Sequence, residues 1–151
     1  MSNRIVFVPE PRRPLPLRRC SFRFPGERAS VQQARDWLGR RLKIVGVPEE
    51  AGDTALLLLS ELATNQVLHA PTSDHDKADG DYFVRVFFFP DRLRVEVRDA
   101  AGRTPEFHLV APAHDTEHGR GLFLVNALAS RWGRFESGRG PGMFFELRWG
   151  R

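Results

Sequence analysis

Cysteine occurs once in the 151 residues, at Cys20, so no internal disulfide can form and a reducing, cytoplasmic compartment is the expected one. Long apolar runs are missing as well. The longest aliphatic stretch, Ala55 to Leu59, falls far short of the roughly 20 residues a spanning helix needs. Met1 to Pro9 carries no secretory h-region, so neither membrane insertion nor export is expected. The chain also lacks a Gly-x-Ser-x-Gly elbow, a P-loop lysine motif and a two-cysteine zinc pair, which removes several common hydrolase, nucleotidase and finger classes. Lysine is nearly absent. Of 23 basic residues only Lys43 and Lys77 are lysines, so the net charge of +4 is carried by arginine.

What remains has the composition of one globular domain, with 41% apolar and 28% charged residues, neither a disordered tail nor a fibre. Pro9, Pro11, Pro14 and Pro16 lie among Arg12, Arg13, Arg18 and Arg19, a segment too rich in proline for a helix or an inner strand. Residues 1–19 therefore read as an extended arm and residues 20–151 as the domain. A solvated terminus is the plain reading of the arm; contact with nucleic acid or an acidic protein surface is the alternative.

Along the domain, Cys20 to Phe24 alternates like an edge strand and stops at Pro25 and Gly26. Val31, Ala34, Leu38, Leu42 and Val45 recur at helical spacing and Gly46 closes that helix. A second helix begins near Pro48, with Glu49, Glu50 and Asp53 near its positive dipole end, and runs to Ala70 before Pro71. Residues 72–81 read as a surface loop. Tyr82 to Phe89 and Arg92 to Arg98, joined at Pro90 and Asp91, form a hairpin with one buried face. A long loop covers residues 100–118, a third helix runs from Leu122 to about Ser130, and a last strand alternates Met143, Phe145, Leu147 and Trp149 with Phe144, Glu146 and Arg148. This order suits an α/β two-layer sandwich, helices on a mostly antiparallel sheet.

Three features do not belong to a core. Glu61 and Asn65 interrupt the second helix four residues apart, on one face beside Leu57, Leu58, Leu68 and His69. They are either solvated or placed to handle a proton and a metal ion. Asp99 follows Leu93, Val95 and Val97 in strand parity and so points inward, where it either serves its own turn or accepts from a base's exocyclic amino group. Gly119-Arg120-Gly121 stands directly before the third helix, as an ordinary junction or as a cradle for phosphate oxygens. His114, Asp115, Glu117 and His118 look like a metal cluster, but without a third imidazole or thiolate set a solvated polar loop is the preferred reading.

Taken together, Glu61-Leu62-Ala63-Thr64-Asn65 with His69-Ala70, Val97-Arg98-Asp99, and His118-Gly119-Arg120-Gly121-Leu122 with Leu124-Val125 resemble the boxes of the Bergerat-fold, histidine kinase-like ATPase superfamily. Ala127 to Gly133 is also similar. The strings are most like those of the anti-sigma-factor serine/threonine kinases and their regulatory ATP-binding cousins, over about residues 20–149. The resemblance implies ATP and Mg2+ as cofactors, a lid over about 104–118, and a role in transcription regulation. It implies a sigma factor and an anti-sigma-factor antagonist protein as partners, admits a homodimer, and gives no reason to expect direct nucleic-acid binding. By the same resemblance Glu61 is the general base, Asn65 holds magnesium, Asp99 takes the adenine amino group, and Gly102, Gly119, Arg120, Gly121 and Leu122 border the nucleotide. Two departures bear on affinity: the glycine-rich stretch after Asp99 is reduced to Ala100-Ala101-Gly102-Arg103, and Pro141-Gly142 stands where a Lys-Thr pair is usual. A nucleotide-switched binding module without turnover is the alternative activity.

Overall fold

The computed structural model describes residues 15–69, 80–105 and 117–150, except the side chains of 117–121. Most of the expected arm, residues 1–14, lies outside the described residues. Its described end is extended and exposed but pairs with the sheet: strand β1 spans Arg18–Phe24, two residues longer than its alternation suggested, and Leu17 N–H already bonds the Phe88 carbonyl at 2.8 Å.

Helix α1 covers Ala29–Val45 and buries Ala34, Trp37, Leu38 and Leu42. Gly46 ends it with a φ of 80°, a left-handed conformation that lets its N–H reach the Leu42 carbonyl at 3.0 Å. Pro48 caps α2, Glu49–Leu68, whose first turn carries Glu49 and Glu50 where the helix dipole favours negative charge. Strands β2 (Tyr82–Phe88) and β3 (Arg92–Asp99) form the hairpin, closed by Phe89 N–H to the Arg92 carbonyl at 2.8 Å. Helix α3 spans Glu117–Leu128, opening five residues earlier than the sequence suggested and taking Gly119 and Gly121 into its first turns. Strand β4 (Arg131–Ser137) is an additional strand, and β5 (Gly140–Arg148) pairs between it and β3.

The five strands lie in the order β1-β2-β3-β5-β4, every neighbouring pair antiparallel, with the three helices packed on one face. This is the expected two-layer α/β sandwich. Between the layers sit Leu58, Leu59 and Leu62 of α2, Val84 and Val86 of β2, Val95 of β3, Val125 of α3 and Phe145 of β5. Trp37 seals one end, edge-on to Phe24 at 5.9 Å between ring centroids. Among the described residues no helix is long and apolar enough to cross a membrane.

The hairpin has the expected buried face, formed by Tyr82, Val84, Val86 and Phe88 with Leu93, Val95 and Val97, and the opposite face of the sheet is covered in part as well. On the helix-free face Arg98, Phe144 and Glu146 are only 7 to 8% exposed, and β5 is buried on both sides from Gly142 to Leu147. Arg94 explains it. Its guanidinium lies 3.7 Å from the centroid of Phe144 and bonds both Glu96 Oε2, at 2.9 Å, and Glu146 Oε2, at 3.0 Å. Phe135 lies across Gly142, where any side chain would meet its ring and the Val97 carbonyl. Apolar stems and rings thus cover this face while the charges pair at the surface.

Candidate functional site

Asp99 ends β3 opposite Tyr82, on the face shared by Val95 and Val97, and is 4% exposed. A carboxylate buried to that extent must be met by donors. Its Oδ2 accepts from the backbone N–H of Ala101 at 2.9 Å and of Arg103 at 3.1 Å. Its Oδ1 accepts from Gln66 Nε2 at 2.9 Å, with Arg103 Nη1 a longer 3.4 Å away. Gly102 makes the turn possible: its φ of 77° swings the chain back so that the amides on either side of it reach one oxygen. The self-served turn, one of the two readings open from sequence, is therefore present. It does not exhaust the carboxylate. Backbone donors occupy Oδ2, whereas Oδ1 is held by side chains that can rotate away, and Arg103 is 41% exposed. Oδ1 is the oxygen an incoming amino group can take.

Beside Asp99, Tyr82 and Ser30 share a buried hydroxyl contact of 2.7 Å. Burial pushes the Tyr82 hydroxyl above the usual tyrosine range, and the Ser30 bond opposes part of that rise.

The Gln66 bond fastens the last turns of α2 to the end of β3, and Asn65 immediately precedes Gln66. Glu61 lies one turn earlier on the same face. Both are half-buried, and neither is without a partner. The stripe around them is an edge: Leu58 is buried, Leu57 and Leu68 are 36% and 38% exposed, and His69 is exposed. A carboxylate and an amide oxygen at the rim of a core remain reachable by a ligand. Helix α3 packs against α2, and Gly119 falls in its first turn, whose N–H groups have no intrahelical acceptor. Leu122, one turn on, is 3% exposed and packs in the core with Val125.

Asp99 and Gly102 thus form one turn, Asn65 is drawn to it through Gln66, and Glu61 shares the Asn65 face. The side chain of Arg120 lies outside the described residues, as do residues 106–116 of the expected lid and the side chains of the His114 to His118 cluster. The described start of that segment is held where Arg134 Nη2 donates to the Pro105 carbonyl at 3.2 Å. Sequence reasoning missed Gln66 and Arg103 as partners of Asp99. Gln66 had a signal: a second amide side chain directly beside Asn65 near the end of the helix.

The donor set fits an adenine nucleotide with a divalent cation. A buried carboxylate oxygen can accept from an amino group, an amide oxygen suits a hard cation, and a carboxylate one turn away can take a proton. Helices layered on one side of an antiparallel sheet, with polar groups gathered at the end of a central strand, define a ligand-binding α/β sandwich. Residues 24–149 match the histidine kinase-like ATPase domain, and the chain belongs to that family. None of the curated proteins compared matches the sequence. Among solved structures, a chain of the SiaB-SiaC complex from Pseudomonas aeruginosa is similar, with a TM-score of 0.59 and 13% identity over 85% of this chain and 87% of that one. At that identity the likeness is one of fold.

Proposed function

We infer that the chain is a cytoplasmic ATP-binding regulator that phosphorylates a serine of a small antagonist protein and, in its other state, holds a sigma factor. The observation that carries the reading is the Asp99 carboxylate, buried at the end of a central strand with one oxygen fixed by backbone and the other by exchangeable side chains. Oδ1 takes the adenine amino group as Gln66 and Arg103 withdraw. Asn65 would hold Mg2+, which when bound supplies charge neutralisation between the phosphates. Amides at the start of α3, Gly119 among them, face the phosphate oxygens with a favourable dipole. Glu61 takes the proton from the serine hydroxyl as its oxygen bonds the γ-phosphorus and the bond to the bridging oxygen breaks, leaving ADP. Family membership supports the nucleotide site, and the similar fold in a two-protein complex supports a protein partner.

Labelled ATP, magnesium and candidate antagonists, with Glu61→Ala beside the natural chain, test the transfer. Loss of transfer by about a hundredfold or more with ATP binding retained is expected for a general base. Transfer undiminished in that variant would remove Glu61 from the role. A second reading keeps the site without turnover, ATP switching a protein interface. The occupied state of Oδ1 favours it, since a carboxylate already satisfied by its own chain gives up bonds to bind nucleotide. Binding without transfer to any antagonist would establish that reading.

A further inference from the structure

The helix-free face holds a charge imbalance that the nucleotide site does not use. Arg85 of β2 stands directly across from Glu96 of β3, the carboxylate it would ordinarily pair with. Arg94 has taken that carboxylate, and Glu146 as well, so one guanidinium consumes both acidic groups of this stretch of the sheet. Among the described residues Arg85 keeps a contact with the Phe87 ring, 5.9 Å from its centroid, and no ion pair. Arg98, 8% exposed, donates to the Arg139 carbonyl at 3.1 Å and lies over the Phe83 ring at 4.6 Å. Burial, with Arg85 and Arg139 nearby, depresses its proton affinity below the ordinary arginine value. Among the described residues no ion pair reaches Arg19, Arg85 or Arg139.

These groups surround open space. Arg19, Ser21, Arg85 and Arg139 line a cavity of about 390 Å³, and Ser21, Arg85 and Arg139 also line a smaller one of about 50 Å³ that reaches Arg98. Several guanidinium forks and a serine hydroxyl, outnumbering the Glu96 carboxylate beside them that Arg94 already holds, form a receptor for oxyanions.

We propose that this hollow docks an acidic protein segment, its Asp or Glu carboxylates bridging Arg85, Arg139 and Arg19. The site is independent of the nucleotide pocket, which lies on the other side of the sheet. A single nucleic-acid strand would want bare aromatic rings for stacking. Here the rings are covered: Phe83 by Arg98, Phe135 and Phe144 by Arg94. The unpaired charge is also gathered at one hollow beside Glu96 instead of running as a stripe along which a phosphate backbone could track. A second copy meeting face to face would set arginine against arginine.

The test titrates the full chain with a fluorescein-labelled peptide of alternating Asp and Gly, and with a single-stranded oligonucleotide of equal net charge. Anisotropy is read at low and physiological salt, and Arg Nε–H signals are followed by NMR. The peptide is expected to bind, to move the Arg85, Arg98 and Arg139 signals selectively, and to lose at least about tenfold in affinity in Arg85→Gln/Arg139→Gln. Arg40→Gln, on the exposed side of α1, should leave the affinity unchanged. No peptide binding at low salt, uniform shifts of all arginine signals, or equal binding by the double variant would overturn the proposal. So would tighter, variant-sensitive binding of the oligonucleotide, or self-association that the double substitution abolishes. The signals of the natural chain decide the matter even if the double variant fails to fold.

Discussion

Phe144 and Phe145 are neighbours in β5, are exposed by only 7% and 0%, and are buried by opposite means. Phe145 enters a layer of leucines and valines under the helices. Phe144 faces away and is roofed by the Arg94 guanidinium, which is itself held by two carboxylates. One face of the sheet is closed by apolar packing between layers, the other by side chains of its own strands. The first kind of burial is indifferent to salt; the second depends on charges in place. The difference also explains where chemistry can sit. The apolar side tolerates a carboxylate only where a turn and a helix supply donors, as at Asp99, while the arginine side leaves cations over once its few acids are used.

The comparison can be tested by substitution, and the largest effect is expected on the apolar side. Phe145→Ala should cost about 3 to 5 kcal/mol in denaturant unfolding, independently of salt, because it opens a cavity that neighbours fill poorly. Arg94→Ala should cost roughly 2 to 3 kcal/mol, less than a fully buried pair because the side chain is 16% exposed and Arg85 stands across from Glu96 to take it over, by uncovering Phe144 and stranding Glu146. Raising the salt should shrink the Arg94 loss and leave the Phe145 loss alone. Equal salt dependence for the two would break the distinction. The smallest effect belongs to Tyr82→Phe, about 1 to 2 kcal/mol, which leaves the Ser30 hydroxyl buried without its partner. Because the folded chain raises the Tyr82 proton affinity, its contribution is intact below the unfolded tyrosine value of about 10 and is lost as pH rises from there through the folded value. Alkaline unfolding should therefore be steeper in the natural chain than in the phenylalanine variant.

Local signals carried much of this structure. The hairpin was legible because Val84, Val86, Val95 and Val97 alternate around a Pro-Asp turn, and the same parity placed Asp99 inward. The layered fold followed from the order of elements. Strand β4 escaped because an edge strand need not alternate: Arg131-Trp132-Gly133-Arg134 has no apolar face to announce it. The early start of α3 escaped because Gly119 and Gly121 read as loop residues, although a glycine costs a helix only about 1 kcal/mol when tertiary packing holds it. Glu61, Asn65 and Asp99 could be singled out as polar residues in apolar settings. The Gln66 bond to Asp99 could not, since it spans 33 residues of chain and exists only once α2 lies beside β3. The sealing of the outer face was hidden for the same reason, because Arg94 meets Glu146 only through the pairing of β3 with β5.

The central claim is that Asp99 receives the amino group of ATP. Calorimetric titration of the natural chain and of Asp99→Asn with ATP and magnesium tests it most directly, with GTP, which lacks that amino group, as the discriminating ligand. The account predicts one ATP bound per chain, weak or absent GTP binding, and a loss of at least about tenfold for ATP in the asparagine variant, a difference of roughly 1.4 kcal/mol. Equal affinity of the two proteins for ATP, or of the natural chain for ATP and GTP, would contradict it.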